Sequence, residues 1–319
     1  MAVYTQLPAE DLRALIAHYD VGELVSAKGI AEGISNSNWL VETTGGRFIL
    51  TMYEHRTDLA DLPFFLDLMD HLSAKGCPVP RTIHDREGAS FRMCDEKAVA
   101  LIEFLPGVSV DRPTPAQARS VGEALARNHL AVADFGQERQ NSLDMSACNR
   151  IVDSLADSDL AAIDPSLPDV LHEEIGYLTA KGDGGLPTGV VHADLFPDNV
   201  LMRGDRVSGL IDFYFAATDA FAYDLAVTHA AWCFSSDGGK YRAATGKALV
   251  EGYESLRPLS AREREAMEWL LRRACMRFIA TRAEDWIGTP PGALVTRKDP
   301  MDFVRRLQFY RANAADLFG

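Results

Sequence analysis

The sequence predicts an α+β protein of two lobes, an antiparallel-sheet lobe followed by a mostly helical one. Three observations carry this. Strand-like runs dominate about the first hundred of its 319 residues, and a helix-rich part about twice as long follows. The strands and helices do not alternate as regular βαβ units. A chain of this length is long for one compact domain and suits two lobes that share a cleft. The joint falls near Glu103–Gly107, which predicts lobes of 1–103 and 104–319.

Pro8 to Tyr19 reads as a short helix, with Leu12, Leu15, Ile16 and Tyr19 on one face. Trp39–Glu42 and Phe48–Tyr53 read as strands around Gly45-Gly46, a favourable hairpin turn because both residues tolerate positive φ. A helix is expected over Asp61–Lys75, ended by Gly76, and Pro78-Val79-Pro80 restarts the chain in extended form. Ala98–Phe104 is an apolar strand that stops at Leu105-Pro106-Gly107. Beyond it, Thr114–Phe135 predicts a helix with Thr114 as N-cap and Pro115 in the first turn. A further helix is expected over Pro168–Ala180, and short strands at Gly189–Val191, Val200–Met202 and Val207–Phe213. Ala261–Trp286 is the longest helical segment.

Composition is that of a globular protein, 47% hydrophobic and 24% charged. The formal net charge of -14 argues against nucleic acid or an anionic membrane as partner, since both need basic patches. Five scattered cysteines without a CxxC pair fit neither a disulfide scaffold nor a zinc site. Met1 to Asp20 has no apolar core of a signal peptide, and no run reaches the ~18 apolar residues of a membrane helix. A cytoplasmic enzyme, monomeric or a small homo-oligomer, is expected.

The chemistry is concentrated in Val190-Val191-His192-Ala193-Asp194-Leu195-Phe196-Pro197-Asp198-Asn199-Val200-Leu201, followed by Gly209-Leu210-Ile211-Asp212-Phe213. The first segment has the form HxDxxxxN between two apolar strands, and the second is a strand ending in Asp-Phe. Phosphoryl transfer from ATP accounts for these residue types. Asp194 would receive or orient the attacking hydroxyl. The carboxamide of Asn199 and the carboxylate of Asp212 would supply the hard oxygen ligands that Mg²⁺ requires. Protein kinases divide the labour in the same way. His192 belongs to this catalytic set as a brace for the loop. Asp224 reads as a helix N-cap, and it resembles the Asp that in kinase-like phosphotransferases ties such a helix to the catalytic loop. No Rossmann glycine fingerprint and no Walker GxxxxGK[ST] occurs.

HADLFPDNV together with IDFYFA resembles the aminoglycoside phosphotransferase and choline kinase superfamily, hence a protein-kinase-like fold. The resemblance is closer to the homoserine kinase family within it. Gly29–Gly33, Phe48–Glu54, Asp61–Phe65, Asp194–Asn199 and Pro290–Val295 carry it, nearly end to end. It implies transfer of the ATP γ-phosphate to the hydroxyl of L-homoserine, giving O-phosphohomoserine for threonine synthesis. Where kinases place a strand lysine on the α/β-phosphates, the matching residue is Thr51, which cannot replace an ammonium charge. Lys28, His55 and Arg56 are the nearby cations. The phosphate-covering loop departs from GxGxxG, with Ser35, Asn36 and Asn38 among its polar residues. Ala193 replaces the HRD arginine and Tyr214 the glycine of DFG, so a small-molecule acceptor without activation-loop control is expected.

Adenine should meet the backbone of Glu103 and Leu105. A zwitterionic acceptor needs a cation and an acidic or carbonyl group. The long helix offers Arg277, and Arg282, Asp285 and Trp286 are the candidates taken forward, together with Tyr214. Arg282 and Asp285, spaced i, i+3, share a face and suit an ion pair. Arg297 and Lys298 read as exposed loop residues. His18, His71, His84, His129, His172 and His229 have no ligand-spaced partners and read as structural.

Overall fold

The computed structural model describes residues 7–30, 36–54, 58–182, 185–289 and 297–318. The chain divides into two compact units, 1–106 and 107–319.

In the first unit, α1 (Ala9–Ile16) precedes the strands β1 (Leu24–Ile30), β2 (Asn36–Thr43) and β3 (Gly46–Tyr53). Then come α2 (Leu62–Ala74), β4 (Thr82–Ile83), β5 (Arg92–Cys94) and β6 (Lys97–Glu103). The strands form one antiparallel sheet in the order β1-β2-β3-β6-β4, with β5 beside β6. The expected face of α1 is its buried one. Leu12, Leu15, Ile16 and Tyr19 pack with Trp39, Val41, Leu50, Met52, Val99 and Leu101 from the sheet. β1 carries no legible strand signal because only its two end residues are even half-buried, so no apolar alternation is required of it.

In the second unit, α3 (Pro115–Ala131), α4 (Met145–Ser154), α5 (Asp157–Ile163) and α6 (Leu167–Thr179) precede two small hairpin-like pairs. These are β7 (Thr188–Val191), β8 (Val200–Arg203), β9 (Arg206–Leu210) and β10 (Ala217–Ala220), with β7 paired to β10 and β8 to β9, both antiparallel. The helices α7 (Phe221–Trp232), α8 (Ala243–Glu254), α9 (Ala261–Gly288) and α10 (Met301–Leu317) complete it. Thr114 caps α3 in a reciprocal box with Gln117, which satisfies N-terminal donors the helix cannot pair internally. The strand expected over Val207–Phe213 stops at Leu210, because Asp212 takes a left-handed conformation (φ 65°) that no ladder accommodates.

Two features position the catalytic segment. Gly122 of α3 and Gly252 of α8 allow those helices to touch backbone to backbone. A Cβ at Gly122 would lie 2.1 Å from the Leu249 carbonyl oxygen, and one at Gly252 2.1 Å from that of Arg119. The core helix α9 buries Arg272, Arg273 and Arg277 along its length. Buried guanidinium groups persist only when paired. Arg272 is bidentate to Glu174 of α6 (2.6 and 3.0 Å), and Arg273 is bidentate to Asp219 of β10 (3.0 and 2.7 Å).

His229 of α7 is 1% exposed and hydrogen-bonded to the Tyr310 hydroxyl (2.7 Å). Burial with no carboxylate partner lowers its pKa to about 3. The folded state thus holds this imidazole neutral, while the unfolded chain protonates it near pH 6.5. Its contribution is complete above pH 6.5 and is lost as pH falls toward 3. Between pH 7 and pH 5 the loss from this group should be about 2 kcal/mol. Urea unfolding across that range measures it. His229→Phe should flatten the dependence, and an unchanged slope would remove His229 as its source.

Candidate active site

The catalytic segment leaves β7 at Val191 and enters β8 at Val200. Ala193 adopts φ 62° and Asp212 φ 65°, left-handed conformations unusual for residues with a Cβ. Each costs on the order of 1–3 kcal/mol and persists where surrounding bonds over-determine it. Those bonds are present. The carboxylate of Asp224 accepts the backbone N–H of His192 (2.7 Å) and of Ala193 (2.8 Å). The Arg277 guanidinium donates to the Ala193 carbonyl. Trp232 Nε1, at the end of α7, donates to the Leu195 carbonyl (2.9 Å).

Asp224 is not the N-cap expected of it. Ala220 occupies that position, and Asp224 lies in the first turn of α7, fully buried. Its third partner is His129 of α3, whose Nε2 is 3.0 Å away, while His129 Nδ1 meets the Tyr253 hydroxyl at 2.8 Å. Burial lowers the His129 pKa, so the imidazole is neutral and donates from Nε2. Burial pushes the Asp224 carboxyl upward, but the His129 hydrogen bond and the backbone N–H of His192 outweigh it and hold the group below its ordinary value. The two directions agree on a neutral imidazole beside a carboxylate.

His192 has both ring nitrogens engaged. Nε2 meets the Ile211 carbonyl (3.0 Å) and Nδ1 the backbone N–H of Asp194 (3.2 Å), with the ring packed on Phe213 at 4.6 Å. The imidazole joins the HxD segment to the Asp212 segment, and Ile211 N–H to the Asn199 carbonyl (3.0 Å) joins them again. Asn199 commits its Nδ2 to the Asp194 carbonyl oxygen (2.8 Å) and Asp194 Oδ2 (3.2 Å). Its Oδ1 accepts no hydrogen bond among the described residues, which leaves that oxygen open to a ligand.

Asp194 is 19% exposed at its side chain, with Arg277 NH2 3.6 Å from Oδ1. Desolvation raises its pKa, and Asp198 adds to this, against the opposing charges of Arg277, His192 and Lys298. Asp212 is exposed at the surface, and its pKa nevertheless rises to about 7. Desolvation is the first cause, followed by the charges of Asp194 and Asp198. Crowded carboxylates of this kind are relieved by a divalent cation, and Asn199 Oδ1 with the Asp212 carboxylate fits a hard cation that keeps other positions for phosphate and water. Among the described residues no three His, Cys, Asp or Glu side chains form a metal cage.

In the first unit, Asn38 and Thr51 face each other across β2 and β3, with the Thr51 hydroxyl donating to Asn38 Oδ1 (2.8 Å). Asn36 is buried and accepts the Glu54 N–H (3.4 Å) on Oδ1. The Glu103 N–H is donated to the Arg81 carbonyl (3.0 Å) and is therefore not free for an adenine edge. Leu105 lies two residues past the end of β6. Lys28 lies on β1, while Ser35, His55 and Arg56 lie outside the described residues.

The expected acceptor set does not gather as one cluster. Arg282 turns to Asp302 (3.1 Å) and the Asp299 carbonyl (3.0 Å) of the following segment, not to Asp285 on its own helix. The longer-range pair wins because it is largely buried, where a charge interaction is stronger than on an exposed helix face. Asp285 is exposed, and Trp286 lies beneath the Arg297 guanidinium at 5.6 Å. Tyr214 is half-buried beside Asp212, to which its backbone N–H is bonded. Arg277, offered by the sequence only as one cation of the long helix, instead lies against the catalytic loop. Its partner is 84 residues earlier in the chain, which no local spacing reveals.

Residues 26–259 match the model of the phosphotransferase enzyme family. A homoserine kinase of Azorhizobium caulinodans is 47% identical over 315 residues, covering 99% of this chain and 98% of its own length. One of Xanthobacter autotrophicus is 46% identical over 312 residues, covering 98% and 97%. Among solved structures, an amicoumacin kinase superposes with a TM-score of 0.72 at 14% identity, covering 97% of this chain and 94% of its own. A spectinomycin phosphotransferase does so with 0.69 at 15%, covering 98% of each. Identities this low show the fold alone, which is the protein-kinase-like α+β fold of these phosphotransferases. With its HxDxxxxN loop, its Asp212 just past β9 and matches along nearly its full length, the chain belongs to the phosphotransferase enzyme family, alongside the homoserine kinases.

Proposed function

We infer that this protein is a homoserine kinase, transferring the γ-phosphoryl group of ATP to the side-chain hydroxyl of L-homoserine to give O-phospho-L-homoserine. The observation that carries this is the 46–47% identity to homoserine kinases across 97–98% of their own lengths. The site geometry supplies a mechanism. Phosphoryl transfer asks mainly for positioning and charge neutralisation. Asp194 accepts the proton of the acceptor hydroxyl, and its raised pKa makes it the better base. Asn199 and Asp212 would hold Mg²⁺ through their oxygens, and the cation would supply neutralisation of the phosphate charge. Arg277 and Asp224 hold the loop in its left-handed conformation, and His192 fixes the spacing of the two chelating segments.

Residues 1–103 form the nucleotide-binding lobe in this reading, and 104–319 the catalytic and acceptor lobe. Asn36, Asn38 and Thr51, with Ser35, would contact ATP phosphates through hydroxyl, carboxamide and backbone groups. The Glu103 carbonyl and Leu105 backbone would meet adenine. The amicoumacin kinase structure was determined with AMP-PNP and Ca²⁺, in keeping with a nucleotide and a divalent cation here. Among the described residues no helix is long and apolar enough to cross a membrane.

The test is ADP release with ATP and Mg²⁺ against homoserine, serine, choline and aminoglycosides. Homoserine should be turned over far faster than the rest. Strong turnover of another alcohol without homoserine would sink the assignment.

A further inference from the structure

We propose that Lys298 binds the α-carboxylate of the amino-acid acceptor and selects for it, with Phe196 as the apolar floor between that carboxylate and the base Asp194. The proposal rests on the reading of the chain as an amino-alcohol kinase acting at Asp194.

Lys298 is exposed, and its ammonium lies 5.8 Å over the ring of Phe196, two residues beyond Asp194 in the catalytic loop. It has no carboxylate partner among the described residues, in a chain of net charge -14. The segment that carries it is pinned on both sides. Arg297 donates to the Thr289 carbonyl (2.6 Å) at the end of α9. Arg282 donates to the Asp299 carbonyl (3.0 Å), and Asp299 Oδ1 accepts the Met301 N–H (2.8 Å) at the start of α10. Arg282 thus serves the acceptor site as a brace for this segment.

The position suits a carboxylate. The ammonium stands over a ring of the catalytic loop itself, two residues from the base. Arg277 is also beside Asp194, its NH2 3.6 Å from Oδ1, but it is 3% exposed and engaged with the Ala193 carbonyl. Its guanidinium is not available to a ligand. Phe196 is itself fixed, edge-on to Phe278 at 4.9 Å. A short aliphatic chain laid on that ring has its hydroxyl toward Asp194 and its charged end toward Lys298.

The experiment compares homoserine with 3-aminopropan-1-ol, which is homoserine without its carboxylate, at saturating ATP. In Lys298→Ala the KM for homoserine should rise about 10- to 100-fold, the scale of a lost charge-assisted hydrogen bond. The KM for ATP should stay unchanged, and the preference for homoserine over the carboxylate-free alcohol should collapse. Lys298→Arg should recover most of it. An unchanged homoserine KM would overturn the proposal while leaving the assigned activity intact. An equal fall in kcat for both acceptors would also overturn it, placing the ammonium on the transferred phosphoryl group. No turnover of homoserine by the wild type would overturn the assigned activity, and this proposal with it.

Discussion

Asp194→Asn should lower kcat by about 10²–10⁴-fold, the range for loss of a positioned acid/base group. The substitution is nearly isosteric. Asn199 can still donate to the new amide oxygen, as it does to Asp194 Oδ2 at 3.2 Å. The amide cannot take a proton from the acceptor hydroxyl, so the loss should fall on kcat with the KM for ATP little changed. Stability should stay close to that of the wild type, since relieving a desolvated carboxylate offsets the lost attraction to Arg277. Steady-state kinetics with a urea-unfolding control checks both statements. Activity within threefold of wild type would remove Asp194 as the base.

Asp224→Ala should destabilise the protein by about 3–5 kcal/mol, the scale for removing one partner from a buried charged network. Three donors lose their acceptor together: the N–H groups of His192 and Ala193, and Nε2 of His129. None can turn to water, because His192 and His129 are each 3% exposed and Ala193 is 1% exposed. Natural domains are stable by only ~5–15 kcal/mol, so the loss would be visible in any unfolding curve. Activity should fall with it, because Ala193 then has less to hold its left-handed backbone. Asp224→Asn should lie between, since its amide can accept one of these bonds but turns a donor toward another. A urea midpoint for the alanine variant within about 1 kcal/mol of wild type would show that the network does not hold the loop.

The fold was legible where composition and period spoke locally. The face Leu12, Leu15, Ile16 and Tyr19, the Thr114 cap with Pro115, and the apolar run ending at Glu103 each depend on neighbours within a turn or a strand. β1 was not legible because its residues are nearly all exposed, so nothing obliges them to alternate. The strand expected to run to Phe213 ended at Leu210 because Asp212 must leave the ladder to present its carboxylate. The i, i+3 spacing of Arg282 and Asp285 suggested a pair, but Asp302 of another helix gives Arg282 a better-buried carboxylate.

The HxDxxxxN loop and the aspartate after the next hairpin were determined by the sequence itself. Their spacing is short, and the residue types are dictated by the need for one base and two hard oxygen ligands. What holds that loop was decided only by the tertiary structure. Asp224, His129 and Arg277 come from three different helices, the last of them 84 residues along the chain from its partner. Local propensity carries no record of such pairings. They are set by burial, which makes an unpaired carboxylate, imidazole or guanidinium costly enough that the fold must bring partners to it.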